Sequence, residues 1–211
     1  MKSLLEHPCV KAEIDTEGLS EVFSIAPART PGCGVFKGVK ELKPACCILF
    51  RDGRLSCEKY WSMESKPHED SPENTIEHLN VLVKDAIRRQ LVSDVPLCTF
   101  LSGGLDSSAI SAVASEAFGE SGRTPLHTYS IDYVDNELYF KSSTFQPDSD
   151  APWVERMFRE IKSVHHRITF DTPQLVEALY SAVDARDLPG MADVDSSLWL
   201  FCREIKRDFT V

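Results

Sequence analysis

The sequence predicts an α/β fold, a doubly wound parallel sheet preceded by a small antiparallel β segment. Three observations predict it. After residue 72, short apolar runs alternate with segments of helical periodicity, as parallel βαβ units require. Before residue 62 the chain is rich in turn residues and holds Asp52-Gly53 between two extended runs. Within the alternating part, a serine- and glycine-rich turn joins a predicted strand to a predicted helix.

The antiparallel segment comes first. Residues 45–51 and 54–61 read as strands around Asp52-Gly53, because the tight primed turn needs positive φ at both central positions. Two strands close neither a sandwich nor a barrel, so residues 1–61 read as the edge of a domain. Residues 62–71 are polar and aperiodic, with Pro67, and read as a linker ending at residue 72. Ser71 is the expected N-cap of a helix with Pro72 in its first turn. Ile76, Leu79, Val83, Ala86, Ile87 and Leu91 then recur at helical spacing.

The domain from residue 73 to 211 supplies the alternation. Residues 95–101, 126–131 and 164–170 read as strands. Residues 107–118 read as a helix stopped by Gly119. Asp150-Ala151-Pro152 opens a helix with Val154, Met157, Phe158 and Ile161 on one face. Asp171-Thr172-Pro173 opens another, with Leu175, Val176, Leu179 and Val183 expected inward. The last helix is expected over residues 196–206, carrying Leu198, Phe201, Cys202 and Ile205. The run 132–149 has little periodicity and reads as a long loop.

Bulk properties narrow the function class. The 211 residues are 42% hydrophobic and 27% charged, which is enough apolar content for a packed core. A net charge of −10 and a pI near 5.1 argue against a nucleic-acid partner, which needs a basic face. No segment approaches the ~18 apolar residues of a membrane span, and residues 1–7 hold no signal-peptide core. The expectation is a cytoplasmic protein without a membrane partner. Seven cysteines in odd number, with no C-x-x-C, read as reduced thiols. Cys33 lacks an evident base, and Cys98 lies mid-strand. His165-His166 lie in a strand and are expected to point to opposite faces, with a packing role preferred.

The chemistry concentrates at Ser102-Gly103-Gly104-Leu105-Asp106-Ser107-Ser108. In an open α/β sheet, ligands collect at strand carboxyl ends, and a helix N-terminus there suits an anion. Gly103 and Gly104 permit unusual φ/ψ and close approach of a phosphate. Ser102, Ser107 and Ser108 can donate to phosphate oxygens. Asp106 would repel a naked phosphate, so it implies an intervening cation, Mg²⁺. No Gly-Lys-Ser/Thr follows, so this is not a Walker A loop. A bare glycine pair would read more simply as a tight turn with Asp106 or Ser107 capping a helix. Seven residues matching one pattern in a strand–turn–helix setting favour the phosphate reading.

Leu101 to Ser108, read as Leu-Ser-Gly-Gly-Leu-Asp-Ser-Ser, resembles the pyrophosphate loop of the ATP pyrophosphatase (PP-loop) superfamily. The segment from Phe23 to Trp61, which contains Gly34-Val35-Phe36-Lys37-Gly38-Val39-Lys40-Glu41-Leu42-Lys43-Pro44 and ends in Tyr60-Trp61, resembles the end of the glutaminase domain of glutamine-dependent asparagine synthetases. Val95-Pro96 and His165-His166 are similar to that family as well. The resemblance implies an adenine-nucleotide α-hydrolase-like synthetase domain after an Ntn-type glutaminase domain. It implies adenylation of aspartate by ATP, then attack by glutamine-derived ammonia to give asparagine, AMP and pyrophosphate. By match to the family, Ser102, Gly103, Gly104, Leu105, Asp106, Ser107 and Ser108 hold pyrophosphate, Asp106 binds Mg²⁺, and Leu101 and Ile131 lie against the adenosine. A homodimer of the full-length enzyme fits the same reading.

Two features depart from the family pattern. The glutaminase nucleophile is an N-terminal cysteine, and this sequence begins Met1-Lys2. A second family motif, Ser-Gly-Glu-x-x-Asp-Glu, is expected beyond Phe209-Thr210-Val211. The chain is therefore expected to be an internal piece of an enzyme, inactive alone, and no catalytic residue is assigned. By family position residues 187–197 face the synthetase cleft, with Asp195 or Ser196 as helix caps. The alternatives are another PP-loop amidotransferase or ligase, or a truncated nucleotide-binding module.

Overall fold

A computed structural model describes residues 1–144 and 147–210, without the side chain of Asp193. The chain forms two compact units. One comprises Met1–His68 with Leu179–Asp195, the other Glu69–Ala178 with Ser196–Val211. In the first unit a one-turn helix, α1 (Lys2–Leu5), precedes α2 (Thr16–Ile25), which is capped by Asp15 accepting from the Gly18 N–H. The antiparallel pair β1 (Cys46–Arg51) and β2 (Arg54–Lys59) follows. Asp52 and Gly53 take φ of 52° and 72° at the turn, as its primed geometry demands.

In the second unit α3 (Pro72–Gln90) starts at Ser71, whose hydroxyl accepts from the Asn74 N–H at 3.3 Å. β3 (Cys98–Phe100), β4 (His127–Tyr133) and β5 (Val164–Phe170) form a parallel sheet in that order. They are joined through α4 (Leu105–Glu120), α5 (Asn136–Tyr139) and α6 (Ala151–Glu160). α7 (Thr172–Arg186) and α8 (Ala192–Ile205) run through both units. No helix among the described residues is long and apolar enough to cross a membrane.

The sheet's two faces differ in chemistry. One carries Tyr129 and Phe170, packed with Ala178 of α7 and with Leu200, Phe201 and Ile205 of α8. Phe100 meets Phe201 edge-on at 4.9 Å. The opposite face is polar. Thr99 and Ser111 of α4 share a 2.8 Å hydroxyl contact, and Thr128 and Ser130 bond the His165 ring, on which Phe158 of α6 stacks at 4.6 Å.

Several expected elements are corrected. β3 is three residues long, not 95–101: Pro96 has no N–H to give to a ladder before its start, and the chain leaves the sheet after the Leu101 N–H bonds the Tyr129 carbonyl. β4 extends to Tyr133, two residues past the expected end. α4 passes through Gly119 and stops at Glu120. Gly122, at φ 65°, takes the left-handed position, with Arg123 N–H donating to the Phe118 carbonyl at 3.0 Å. The expected loop 132–149 contains α5, while its residues 145 and 146 lie outside the described residues. Val211, at the expected break before the second motif, lies outside them too. α7 buries Ala178 and Ala182, whereas Val176 and Val183 are exposed; the small side chain at 178 lets the helix approach the aromatic face of the sheet. α8 starts at Ala192, not 196, and leaves Leu198 exposed. The expected apolar stripe of α3 is exposed over its first turns, with Ile76 at 70% and Leu79 at 54%, while Ile87 is half-buried and Leu91 packs against Ala114, Phe118 and Leu126.

Ile205 is fully buried against Tyr129 and Phe170. Ile205→Ala is expected to cost about 2–5 kcal/mol in urea unfolding. A loss below about 1 kcal/mol would mean that α8 does not anchor the sheet.

Candidate nucleotide site

β3 ends where the Leu101 N–H donates to the Tyr129 carbonyl at 2.7 Å, with the Leu101 side chain 1% exposed. The next residues turn into α4. Gly103 sits at φ 81°, and a Cβ there would lie 2.9 Å from the Asp150 carbonyl oxygen and 3.0 Å from Trp153 Cβ. The sequence expectation holds at this glycine and fails at its neighbour. Gly104 is extended, φ −71° and ψ 164°, and a Cβ there would meet only Ser102 Oγ at 3.5 Å. Gly104 is the N-cap of α4 and offers no side-chain cap, so the first-turn N–H groups at Leu105, Asp106 and Ser107 have none.

The serines divide their roles. Ser107 Oγ accepts from the Ser102 N–H at 3.2 Å and donates to the Gly104 carbonyl at 3.2 Å, while Ser102 Oγ lies 3.0 Å from it. Ser107 therefore staples the turn, and Ser102, which is exposed, is the hydroxyl with a proton to redirect. Ser108 is half-buried, and its N–H closes the first helical bond to Gly104 at 3.1 Å. Leu105 and Asp106 are exposed at the start of α4.

A cavity of about 300 Å³ opens beside this turn, at the carboxyl ends of β3 and β4. Its lining includes Leu101, Ser102, Ser130, Ile131, Asp132, Tyr133, Asn136, Asp150, Val154 and Arg167. Of the expected site residues, Leu101, Ser102 and Ile131 line the cavity; Gly103 to Ser108 form the turn and helix start outside its lining. Asp132, Asn136, Asp150 and Arg167 were not singled out from the sequence. Asp132 had a signal, since it follows Ile131 at a strand end. Arg167 had none, because only the register Ser130↔Arg167 brings it there. Ser197 reaches the cavity wall through a 2.9 Å contact with the Tyr133 hydroxyl. Asp195 is buried and pairs with Arg186 at 2.5 Å, and Ser196 is buried within α8; neither caps the helix.

No group of three or more His, Cys, Asp or Glu residues that could hold a metal occurs among the described residues. A single carboxylate at a helix start can still supply one ligand to Mg²⁺, which keeps most of its shell as water or other oxygens. Asp106 fits that pattern.

His165 and His166 point to opposite faces, as expected. His165 bonds the Thr128 and Ser130 hydroxyls at 2.9 and 3.0 Å. Burial, helped by the nearby Arg167 and His166, pushes its pKa down to about 4. His166 stacks between His127 and Tyr129 and is also shifted down, mainly by burial. Burial and the neighbouring Asp208 push Tyr129 up to about 12. All seven cysteines are free; Cys98 is half-buried, with its thiol raised by burial, and Cys33 is exposed.

Comparison with known proteins places the chain in a family. The family model described as asparagine synthase matches residues 78–211. The chain is 53% identical, over its whole length, to asparagine synthetase [glutamine-hydrolyzing] 3 of Bacillus subtilis, of which it covers 34%. It is 31% identical to asparagine synthetase 1 of the same organism over 49% of the chain and 16% of that protein. It is 23% identical to asparagine synthetase B of Escherichia coli over 91% of the chain and 34% of that protein. The chain thus spans about a third or less of the length of these relatives.

The geometry gives two expected outcomes. Gly103→Ala should lower unfolding stability by about 1–3 kcal/mol, through left-handed strain and the close Asp150 oxygen, while Gly104→Ala stays within about 0.5 kcal/mol. Equal losses in urea titrations would contradict the difference between the two glycines. The His165 shift predicts a pH dependence. The fold favours the neutral ring, so its contribution is complete above pH 6.5 and is lost as pH falls toward about 4. NMR titration of the imidazole should give a midpoint near 4; a midpoint near 6.5 would remove the shift.

Proposed function

The chain belongs to the asparagine synthase family, and we propose that it forms part of a glutamine-hydrolysing asparagine synthetase whose ATP site is the turn at residues 102–108 with the adjoining cavity. One observation carries the reading: an uncapped helix N-terminus, reached through Gly103 at φ 81°, stands beside a cavity lined by Leu101 and Ile131. In this reading residues 1–61 close a glutaminase domain, 62–72 link it, and 73–211 begin a synthetase domain with a doubly wound sheet. The whole enzyme is cytoplasmic, and its assembly is a homodimer.

The overall reaction adenylates the side-chain carboxylate of aspartate, with loss of pyrophosphate. Ammonia from glutamine then displaces AMP to give asparagine. Such chemistry needs charge neutralisation and alignment more than a protein nucleophile. The N–H groups of Leu105, Asp106 and Ser107, with the positive end of α4, receive the pyrophosphate oxygens. Ser102 turns its hydroxyl from Ser107 to a phosphate oxygen. Ser107 and Gly103 keep the backbone in the shape that presents those N–H groups. Leu101 and Ile131 offer apolar contact to the adenosine. Mg²⁺, held through Asp106, supplies neutralisation of phosphate charge.

Titration calorimetry of the 211-residue chain with ATP tests this. Binding is expected to require Mg²⁺ and to weaken at least about tenfold in Asp106→Asn, whose exposed position spares the fold. Absence of ATP binding by the wild-type chain would overturn the site. Equal affinity of the two proteins would take Asp106 out of it.

A further inference from the structure

We infer that Asp132 binds the ribose hydroxyls of the nucleotide and makes the site select ribonucleotides over their deoxy forms. The inference rests on the nucleotide reading above and adds a residue and a specificity to it. β4 runs parallel to β3 with Phe100 paired to Tyr129, and continues past the point where β3 gives way to the turn. Asp132 therefore stands at the carboxyl end of the strand next to the phosphate-turn strand, one residue beyond Ile131. It shares the polar face with Ser130 and lines the cavity with Leu101 and Ser102.

Its carboxylate is already oriented. Oδ1 accepts the Tyr133 N–H at 2.8 Å and Asn136 Nδ2 at 3.1 Å. Among the described residues no donor bonds Oδ2, and no cation pairs with Asp132. An oriented carboxylate oxygen with free lone pairs is an acceptor, and ATP offers it two kinds of donor, the ribose hydroxyls and the adenine amino group. Loss of the preference for ATP over its deoxy forms assigns the ribose, whereas an amino-group contact would leave that preference unchanged. Phosphates repel it. The two vicinal ribose hydroxyls are donors, and charge-assisted hydrogen bonds to a half-buried carboxylate are strong. The same solution recurs in dinucleotide-binding sheets, where an acidic residue further along the unit receives the ribose 2′-hydroxyl while a glycine turn holds the phosphates. The hydrogen bonds from Tyr133 and Asn136 also tie down the start of α5, so a purely structural role is the outcome to be separated.

The ratio of affinities separates them. Calorimetry of the same chain with Mg²⁺ and ATP, 2′-deoxy-ATP and 3′-deoxy-ATP would be run on the wild type, Asp132→Asn and Asp132→Ala. The wild type is expected to prefer ATP over each deoxy form by roughly tenfold. Asp132→Ala should bind all three within about twofold. Asp132→Asn, which keeps an acceptor for the Tyr133 N–H but loses the charge, should fall between. A residue that only ties the turn would weaken all three nucleotides alike and leave the ratio intact, and that result would overturn the inference. Tight ATP binding without ribose preference in the wild type would overturn it alone. No ATP binding at all would remove it together with the nucleotide reading.

Discussion

The close approach of Gly103 to the first turn of α6 is the constraint on which the site depends. With a φ of 81° and only 2.9 Å between an added Cβ and the Asp150 oxygen, this position admits a glycine backbone and little else. The turn it makes reverses the chain from β3 into α4 and leaves the N-terminus of α4 open. It also packs the start of α6 against the turn, so that Asp150 and Val154 can share a cavity with Leu101. The 2.7 Å bond from the Leu101 N–H to the Tyr129 carbonyl fixes where that reversal begins.

The sheet separates stability from chemistry by face. Tyr129, Phe170, Phe201 and Ile205 supply apolar burial on one side, the main favourable contribution to a fold of this kind. The other side holds Thr99, Thr128, Ser130 and His165, whose polar atoms satisfy one another; no buried side-chain donor or acceptor among the described residues lacks a partner. That polar face continues, through Ser130 to Asp132 and Arg167, into the cavity wall. Mutual hydrogen bonds on this polar face hold its side chains in fixed rotamers.

Elements set by neighbouring residues were legible. Asp52-Gly53 named its own turn, Ser71-Pro72 its own helix start, and Asp171 with Gln174 forms a reciprocal capping pair at 2.8 and 2.9 Å. Errors arose where a distant partner decided. Gly119 is a helix-stop residue, but α4 continues to Glu120 and the left-handed position falls to Gly122, and the Phe118 side chain next to Gly119 packs with Ala114 and Leu126. The large apolar residues of α7 suggested one buried stripe, whereas the aromatic face of the sheet takes Ala178. Gly104 looked equivalent to Gly103 in sequence, yet only the latter is held in the left-handed region.

The sequence by itself determined the glycine turn after β3 and its place between a strand and a helix. A strand end, a glycine and a helix start within a few residues are local features, fixed by backbone sterics and by the unpaired N–H groups of a helix terminus. It also determined that His165 and His166 diverge, because alternation is a property of any strand. Only the tertiary structure decided which hydroxyl staples the turn and which remains to be redirected, and which charged groups share the cavity. Asp132, Asp150 and Arg167 lie far apart along the chain and meet through the parallel register of β4 with β5 and the docking of α6. Such meetings depend on pairing between segments that carry no trace of one another in their own residues.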